Sequence, residues 1–161
     1  MLCIYHIADH DGKGSAAIVK SVYPEIELMG LNHDMEIPFD EIRKHDKIIV
    51  CDICLPMDFM NELNQEKGLI WIDHHISSIK KYGKFGESIP GLRVDGTAAC
   101  MLTYIYFYLS EYEPEESREE WLKNIDQKKC ESLYKYAPLL VRYVHDNDVW
   151  RYEYGDNTEY F

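Results

Sequence analysis

Acidic and histidine side chains follow three short apolar runs of the sequence. In chain order they are His6, Asp9 and Asp11, then Asp52, and then Asp73, His74 and His75. Carboxylates held close together repel each other, and bound divalent cations remove that cost and keep them ionised. Ligand sets of oxygen atoms and a few imidazoles, without thiolate, favour Mn²⁺ or Mg²⁺ over structural zinc. If the three groups meet in space, they predict a hydrolase with two metal ions.

The apolar runs themselves predict the elements that would bring these groups together. Short, continuous apolar runs bounded by polar turns are typical of strands buried on both faces. Such strands are predicted at 2–7, 47–51 and 69–72, with weaker candidates at 26–31 and 92–94. Helices are predicted between them at 14–22, 56–66 and 96–110. This alternation predicts an α/β fold, a parallel sheet with helices on both faces, in which ligands bind beyond the carboxyl ends of the strands.

The sequence from about residue 117 is expected to form a C-terminal helical cap or bridge. Apolar side chains recur there at three- and four-residue spacing, which predicts one apolar helix face. They are Leu133, Tyr136, Ala137, Leu140, Val141 and Val144. The acidic run at 111–120 predicts an exposed connection and the start of the next helix. Because no internal repeat is visible, residues 1–161 are expected to form a single domain.

The composition limits the class of protein. The 161 residues are 46% hydrophobic, which is enough for the core of one domain. The formal net charge of −12 disfavours binding to long nucleic acids, because phosphate contacts need a track of basic residues. The sequence has no signal-peptide pattern and no apolar run near the ~20 residues that span a bilayer. Five scattered cysteines favour reduced thiols, so we expect a cytoplasmic protein without membrane contact.

Four motifs occur in an order that resembles the DHH phosphoesterase family. They are HIADHDGKGS at 6–15, VCD at 50–52, DHH at 73–75 followed by GTAA at 96–99, and HDNDVW at 145–150. That family includes RecJ-type exonucleases, nanoRNases, cyclic-dinucleotide phosphodiesterases and manganese pyrophosphatases. The resemblance implies a DHH-type catalytic domain that hydrolyses phosphodiester or phosphomonoester bonds of small nucleotides or short oligonucleotides. It also implies two Mn²⁺ ions, with Mg²⁺ as a possible substitute.

The resemblance assigns metal ligands residue by residue. They are His6 and Asp9 for one ion, Asp11 and His74 for the other, Asp52 as a bridge between the two, and Asp146 for the second ion. We expect Asp146 in that place because it directly follows the apolar helix, with Asp148 as the alternative. Two ions held in this way would lower the pKa of a water between them and so supply the nucleophile.

Further residues are assigned to catalysis or to the substrate. We group His75, Asp52 and Asp73 as catalytic. His75 cannot easily bind the same ion as the histidine before it, so we assign it to the substrate phosphate or to transition-state charge, with a supporting hydrogen bond as the alternative. Asp73 is expected to orient a ligand imidazole. Free N–H groups at a helix start near Gly96 and Thr97 would receive a phosphate oxygen, and helix capping by Thr97 is the equal alternative.

The first motif is expected to form a ligand turn before a helix. Gly12 and Gly14 would let the backbone bend sharply, and Ser15 would cap the helix. Trp150, in the last motif, is expected to be a core residue.

Two alternatives to the phosphoesterase remain open on the sequence. One is a manganese inorganic pyrophosphatase, and the other is a non-catalytic module that binds metal or nucleotide. The family resembled also has a second, substrate-binding domain, often with a GGGH motif, which these residues do not contain. We therefore expect a catalytic-domain fragment or an unusually short member.

Overall fold

A five-stranded parallel sheet forms the centre of the protein, in a computed structural model that describes residues 1–110 and 117–159. The strands are β1 (Leu2–His6), β2 (Glu27–Leu31), β3 (Lys47–Cys51), β4 (Gly68–Asp73) and β5 (Gly91–Arg93). Their order across the sheet is β2-β1-β3-β4-β5, and every neighbouring pair is parallel. The predicted α/β fold is therefore confirmed, and each predicted strand lies within one residue of its observed bounds.

Helices connect the strands and form the C-terminal part. They are α1 (His10–Val22), α2 (Phe39–Ile42), α3 (Met57–Glu66), α4 (Ile76–Glu87), α5 (Ala99–Tyr104), α6 (Arg118–Lys123), α7 (Gln127–Leu133), α8 (Leu139–Asp148) and α9 (Asp156–Glu159). Helix α5 continues as a wider π-helical turn over Ile105–Leu109. The sequence did not predict α4, which contains glycines of low helix propensity and a φ of 47° at Gly83. Its start nevertheless fixes the position of His75, which directly precedes its first turn.

The two faces of the sheet bury separate cores, because side chains alternate between the faces along each strand. On one face, Cys3 of β1 and Ile49 of β3 pack with α1, α5 and α8. On the other face, Ile4 of β1 and Trp71 of β4 pack with α3 and α4. Helices therefore cover both faces of the sheet. Between these layers β1, β3 and β4 lie side by side, and their carboxyl ends reach one edge.

Helix α1 begins earlier than predicted, which changes the role of the small residues in the first motif. Asp9, and not Ser15, caps the helix, and its carboxylate accepts the N–H of Gly12 at 3.0 Å. Gly12 lies inside the helix, where a Cβ atom would collide with the main-chain oxygen of His6. This glycine therefore allows α1 to approach the end of β1 closely, rather than allowing a sharp bend. Ser15 is buried within the helix.

The apolar face predicted for the C-terminal helices is only partly buried. Leu133, Ala137, Val141 and Val144 are buried, whereas Tyr136 and Leu140 are exposed. The chain is extended at Ala137 and Pro138, between α7 and α8. A single helical period therefore does not run through both helices, and the prediction was wrong for the two exposed residues.

Trp150 is also exposed, which contradicts its prediction as a core residue. Its φ of 60° lies in the left-handed region, so the chain turns sharply after α8. The side chain is 78% exposed as a result.

Two further expectations concern the surface of the molecule. Residues 111–116 of the acidic run lie outside the described residues, and its remainder begins α6, which Ser117 caps through the N–H of Glu120. In the described ranges 1–110 and 117–159, no helix is both long and apolar enough to cross a membrane.

Candidate metal centre

The three central strands bring the acidic and histidine residues to one edge of the sheet. His6 ends β1, Asp52 directly follows β3, and Asp73 ends β4. Because these strands are parallel neighbours, their carboxyl ends lie side by side. The turns after β1 and β4 add Asp9 and His74, and the first turn of α1 adds Asp11. The groups that are far apart in the sequence thus come together as expected from the sheet.

Asp52 lies in the middle of this edge with its side chain buried. Its φ of 59° is uncommon for a residue other than glycine, and such backbone strain is concentrated at functional sites. Burial, followed by the charge of Asp9, raises the pKa of Asp52 to about 8. One carboxylate oxygen is 3.6 Å from Nδ1 of His6, and the other is 3.4 Å from Nε2 of His74. Asp52 therefore faces both histidines, as a bridging ligand must.

The first ligand group consists of His6, Asp9 and Asp52. Nδ1 of His6 lies 2.7 Å from Oδ2 of Asp9. Nε2 of His6 lies 3.2 Å from Oδ1 of Asn32, which also accepts the backbone N–H of His33. Because this amide oxygen is an acceptor, it could hold a hydrogen on Nε2 while Nδ1 of His6 binds a cation shared with the carboxylates. Asn32 is therefore placed to orient the ring of His6 for metal binding through Nδ1.

The second ligand group consists of Asp11, His74 and Asp148, with Asp52 beside them. Nε2 of His74 lies 3.6 Å from an oxygen of Asp11, 3.4 Å from one of Asp52 and 3.5 Å from one of Asp148. Burial, and after it the charges of Asp52 and Asp148, raises the pKa of Asp11 well above its usual range. Burial also raises the pKa of Asp148. Three carboxylates therefore surround one imidazole nitrogen.

The structure places Asp148, and not Asp146, in this group. The buried carboxylate of Asp146 accepts the backbone N–H groups of Glu153 and Tyr154 and the hydroxyl of Thr158, at 2.9, 3.3 and 2.6 Å. Burial acts to raise the pKa of Asp146, but these hydrogen bonds outweigh it and the pKa lies below its usual value. Asp146 therefore anchors the chain that follows α8, because helical geometry points the two acids of the motif in different directions.

We expected Asp73 to orient the ring of the proposed ligand His74, but in the structure it orients His75. Its Oδ1 accepts the backbone N–H groups of His74 and His75 and lies 2.7 Å from Nδ1 of His75. This hydrogen bond raises the pKa of His75, although partial burial opposes it. Because Nδ1 of His75 donates to Asp73, only Nε2 remains to contact another molecule. Nδ1 of His75 is therefore not available to bind a metal ion, although it lies 3.8 Å from Oδ1 of Asp52.

The helix start after Gly96 and Thr97 is occupied by protein groups. Nδ1 of His145 accepts the N–H of Ala98, and the two oxygens of Asp11 accept the N–H groups that follow, those of Ala99 and Cys100, at 2.7 Å each. Thr97 is buried, and Gly96 has a φ of 77° that favours glycine. The amides of Ala99 and Cys100 therefore position Asp11 for the centre, and none of the three amides is free to bind a substrate phosphate.

The donor set fits divalent cations. Buried atoms without a hydrogen-bond partner in the described part of the chain include Nδ1 of His6, both carboxylate oxygens of Asp52 and Oδ2 of Asp148. Buried polar atoms are normally paired, so several orphaned acceptors around one space call for a cation. Atoms that share an ion about 2.1 Å away from each lie roughly 3 to 3.5 Å apart. The separations around His74 are close to this range.

The carboxylates of the centre could balance the charge of two divalent cations. Its four carboxylates belong to Asp9, Asp11, Asp52 and Asp148, at one negative charge each when ionised. Two divalent cations carry the matching positive charge. Oxygen ligands with two imidazoles suit Mn²⁺ or Mg²⁺.

Comparisons of the chain with protein-family models, with curated proteins and with solved structures found no match in any of the three. The resemblance of the four motifs to DHH phosphoesterases stays a prediction. What supports a function is the geometry of the centre and the chemistry of its donors.

Sequence reasoning missed Asn32 and ranked the two acids of the last motif in the wrong order for this geometry. Asn32 directly follows β2, which is the neighbour of β1 in the sheet. The rule that placed the other residues, polar side chains at carboxyl ends of parallel strands, also applies to Asn32. The choice between Asp146 and Asp148 depends on how the loop at 149–155 folds back, and no pattern in the sequence gives that.

Proposed function

We propose that this chain is the catalytic domain of a metal-dependent phosphoesterase that acts on small nucleotides or short oligonucleotides. The observation that carries the proposal is the position of Asp52, whose two oxygens face His6 on one side and His74 on the other. A buried carboxylate that faces two separate ligand groups is what a two-ion hydrolytic centre requires.

One ion would be held by His6, Asp9 and Asp52, and the other by Asp11, Asp52, His74 and Asp148. Two divalent cations supply Lewis acidity, which makes phosphorus more electrophilic and water more acidic. The chain contributes the positions of the donors. Asn32 would accept Nε2–H of His6 and so leave Nδ1 to the ion, and the amides of α5 hold Asp11.

His75 is the residue of this edge that is best placed to contact the substrate phosphate. Asp73 holds its Nδ1–H at 2.7 Å, and its side chain is 40% exposed. The raised pKa favours the imidazolium form, in which Nε2 also carries a hydrogen. Nε2–H of His75 would donate to a phosphoryl oxygen and stabilise the negative charge that develops there.

The charge of the chain favours a short substrate. With 17 basic and 29 acidic residues, the protein lacks the basic track that binds a long phosphate backbone. One or two phosphates need no such track, because cations at the centre and His75 would hold them. Tight, salt-sensitive binding of a long single strand in the presence of Mn²⁺ would contradict this preference and favour a RecJ-type role.

All five cysteines are free thiols. Free thiols persist in reducing compartments. This supports a cytoplasmic location as part of the proposal.

Hydrolysis of a dinucleotide and of inorganic pyrophosphate, each with Mn²⁺, with Mg²⁺ and with excess chelator, tests the proposal. We expect turnover of the dinucleotide with Mn²⁺, less with Mg²⁺ and none with chelator, because imidazole ligands suit the softer ion. Asp52→Asn should abolish turnover. The matched control is Asp58→Asn, the same change at an exposed acid of α3, which should keep it.

Three results would contradict the phosphoesterase. Full turnover in excess chelator would exclude the two-ion mechanism. Preference for pyrophosphate over the dinucleotide would favour the pyrophosphatase alternative. Metal binding without turnover of any phosphate ester would favour a non-catalytic module.

A further inference from the structure

A cavity of about 320 Å³ lies directly beside the metal centre, between the segments that follow β2 and β3. Two residues that line it connect it to the centre. Asn32 contacts Nε2 of His6 through Oδ1, and Ile53 directly follows Asp52. A group bound in this cavity would therefore be adjacent to a phosphate held at the centre.

The lining of this cavity combines apolar and polar residues. Met35, Ile37, Ile53 and Pro56 are among the apolar residues, and Asn32 and Lys81 are among the polar ones. Oδ1 of Asn32 is used by His6 and by the N–H of His33, whereas its Nδ2 makes no hydrogen bond within the described residues. A lining with both apolar and polar groups suits a small organic ligand that has both kinds of surface, and sites for such ligands begin at about 300 Å³.

We propose that this cavity binds the nucleobase of the nucleotide whose phosphate lies at the metal centre. The inference rests on the proposed phosphoesterase function and names the part of the substrate that gives it selectivity. A nucleobase has apolar faces, which suit the walls, and acceptor atoms at its edge, which suit the free Nδ2–H groups of Asn32. The ammonium group of Lys81 is the cation in the lining and suits the negative charge of a neighbouring phosphate.

The size of the cavity restricts what it can hold. At about 320 Å³ it has room for one base and not for a stacked run of bases. This agrees with the preference for short substrates that the net charge indicates. A plain alkyl chain would make no use of the donors of Asn32 and Lys81, whereas acceptor atoms at the edge of a base can pair with them.

The larger cavity, about 870 Å³ beside β5, is a weaker candidate. Its described lining contains none of the residues of the metal centre. Its arginines are also committed to the fold. Arg93 donates to the carbonyl oxygens of Trp71 and Ile89, and Arg118 donates to that of Tyr106.

The direct test is a titration of protein labelled with ¹³C at its methionine methyl groups, in the presence of Mg²⁺. The probes are adenosine 5′-monophosphate and ribose 5-phosphate, which differ by the base. We expect adenosine 5′-monophosphate to shift the Met35 methyl signal by the ring current of the base, and ribose 5-phosphate to leave it unchanged. Met60 and Met101 are fully buried in the two cores and should not move with either probe. Met35→Leu assigns the signal by removing it.

Two variants extend the test to turnover. Met35→Trp should fill part of the cavity and raise KM for a dinucleotide by about tenfold, the size of one lost base contact, without changing KM for a phosphate ester that has no base. Met35 is half-exposed, so the larger side chain can be accommodated. Lys81→Ala should also raise KM for the dinucleotide. Lys80→Ala, the same change at the exposed neighbour outside the lining, should not.

The outcomes separate this proposal from the function on which it rests. An equal shift of Met35 with both probes, or no shift at saturating nucleotide, overturns the base-binding cavity. Dinucleotide turnover that is unaffected by Met35→Trp also overturns the cavity and leaves the phosphoesterase intact. A base-specific shift of Met35 in a protein that hydrolyses no phosphate ester supports the cavity and overturns the phosphoesterase.

Discussion

Nε2 of His74 lies 3.5 Å from Oδ2 of Asp148, whereas the carboxylate of Asp146 is fully engaged by the loop that follows α8. Two acids that are separated by one residue thus have different roles. Asp148 lies in the candidate metal centre, and Asp146 holds the loop in which Trp150 and Tyr152 adopt positive φ angles.

This division predicts that the same substitution changes a different property at each position: metal affinity at Asp148 and folding stability at Asp146. Asp148→Asn should lower the affinity for one of the ions by at least about tenfold. Removing a residue that only hydrogen-bonds to a metal ligand already lowers metal affinity by that much, and Asp148 is proposed as a ligand itself. Asp146→Asn should lower the free energy of unfolding by about 1–3 kcal/mol through weakened charge-assisted hydrogen bonds. Calorimetric Mn²⁺ titration and urea denaturation of both variants measure the two effects. A larger loss of metal affinity in Asp146→Asn would return that residue to the ligand set.

The contact between His6 and Asn32 predicts a site-selective loss of metal affinity. Asn32→Ala removes the acceptor of Nε2–H, so the hydrogen of His6 is free to move to Nδ1 and block that ligand atom. We expect roughly tenfold weaker binding at one ion site and unchanged binding at the other. Asn32→Asp keeps an acceptor oxygen and should retain both sites. Long-range ¹H–¹⁵N spectra report the tautomer of His6 directly, and an unchanged Nε2–H tautomer in Asn32→Ala would contradict the assignment.

The crowding of buried carboxylates predicts that the metal-free protein is destabilised by its own centre. In excess chelator, Asp52→Asn should be as stable as the natural chain or more stable by ~1 kcal/mol, because the cost of holding this buried carboxyl charged or protonating it at neutral pH is removed. Saturating Mn²⁺ should reverse this order. Mn²⁺ at a concentration 100 times its Kd adds about 2.7 kcal/mol per site to the free energy of unfolding, and the variant gains less because it binds the ion more weakly. Urea denaturation with and without Mn²⁺ is the measurement, and a variant that is several kcal/mol less stable in chelator would contradict the account.

His145 predicts a loss of stability in acid. Burial, followed by the charge of Arg151, lowers the pKa of His145 to about 4, below the usual 6.5. Between these values the unfolded chain binds the extra proton. The free energy of unfolding is therefore greatest above pH 6.5 and falls as the pH drops, by a total on the order of 2–3 kcal/mol.

The variant His145→Asn isolates this effect. The Oδ1 of asparagine can take the place of Nδ1 as acceptor of the N–H of Ala98, which lies 3.1 Å away, and it does not titrate. We expect the difference in unfolding free energy between the two proteins to change in favour of the variant as the pH falls from 7 to 4. A difference that is independent of pH would show that His145 is not the group responsible.

The strands and the edge of the sheet were predictable, because continuous apolar runs such as LIWI have few alternatives to a buried strand. Parallel order then forces His6, Asp52 and Asp73 to one edge. Helix α4 was not predictable, because its glycines hide the helical pattern. The sequence did not predict that α1 begins before Gly12. Glycine is needed there because the helix passes close to the backbone of His6, and this contact is not visible in the local sequence pattern.

Within the candidate site, residue types and their strand positions were predictable, but their hydrogen bonds were not. The sequence could not show that Asp11 would occupy the amides of Ala99 and Cys100 and leave none of them for a phosphate. Such contacts join parts of the chain that are distant in sequence. They depend on packing at the level of single ångströms, which a pattern of residue types does not encode.

The central claim is that Asp52 bridges two ions, and anomalous diffraction from crystals soaked in Mn²⁺ tests it most directly. We expect two manganese peaks on either side of Asp52, one in contact with His6 and Asp9 and the other in contact with Asp11, His74 and Asp148. Crystals of Asp52→Asn should show one weak peak or none. A single peak that does not touch Asp52 in the natural chain, or no peak at this edge of the sheet, would contradict the account.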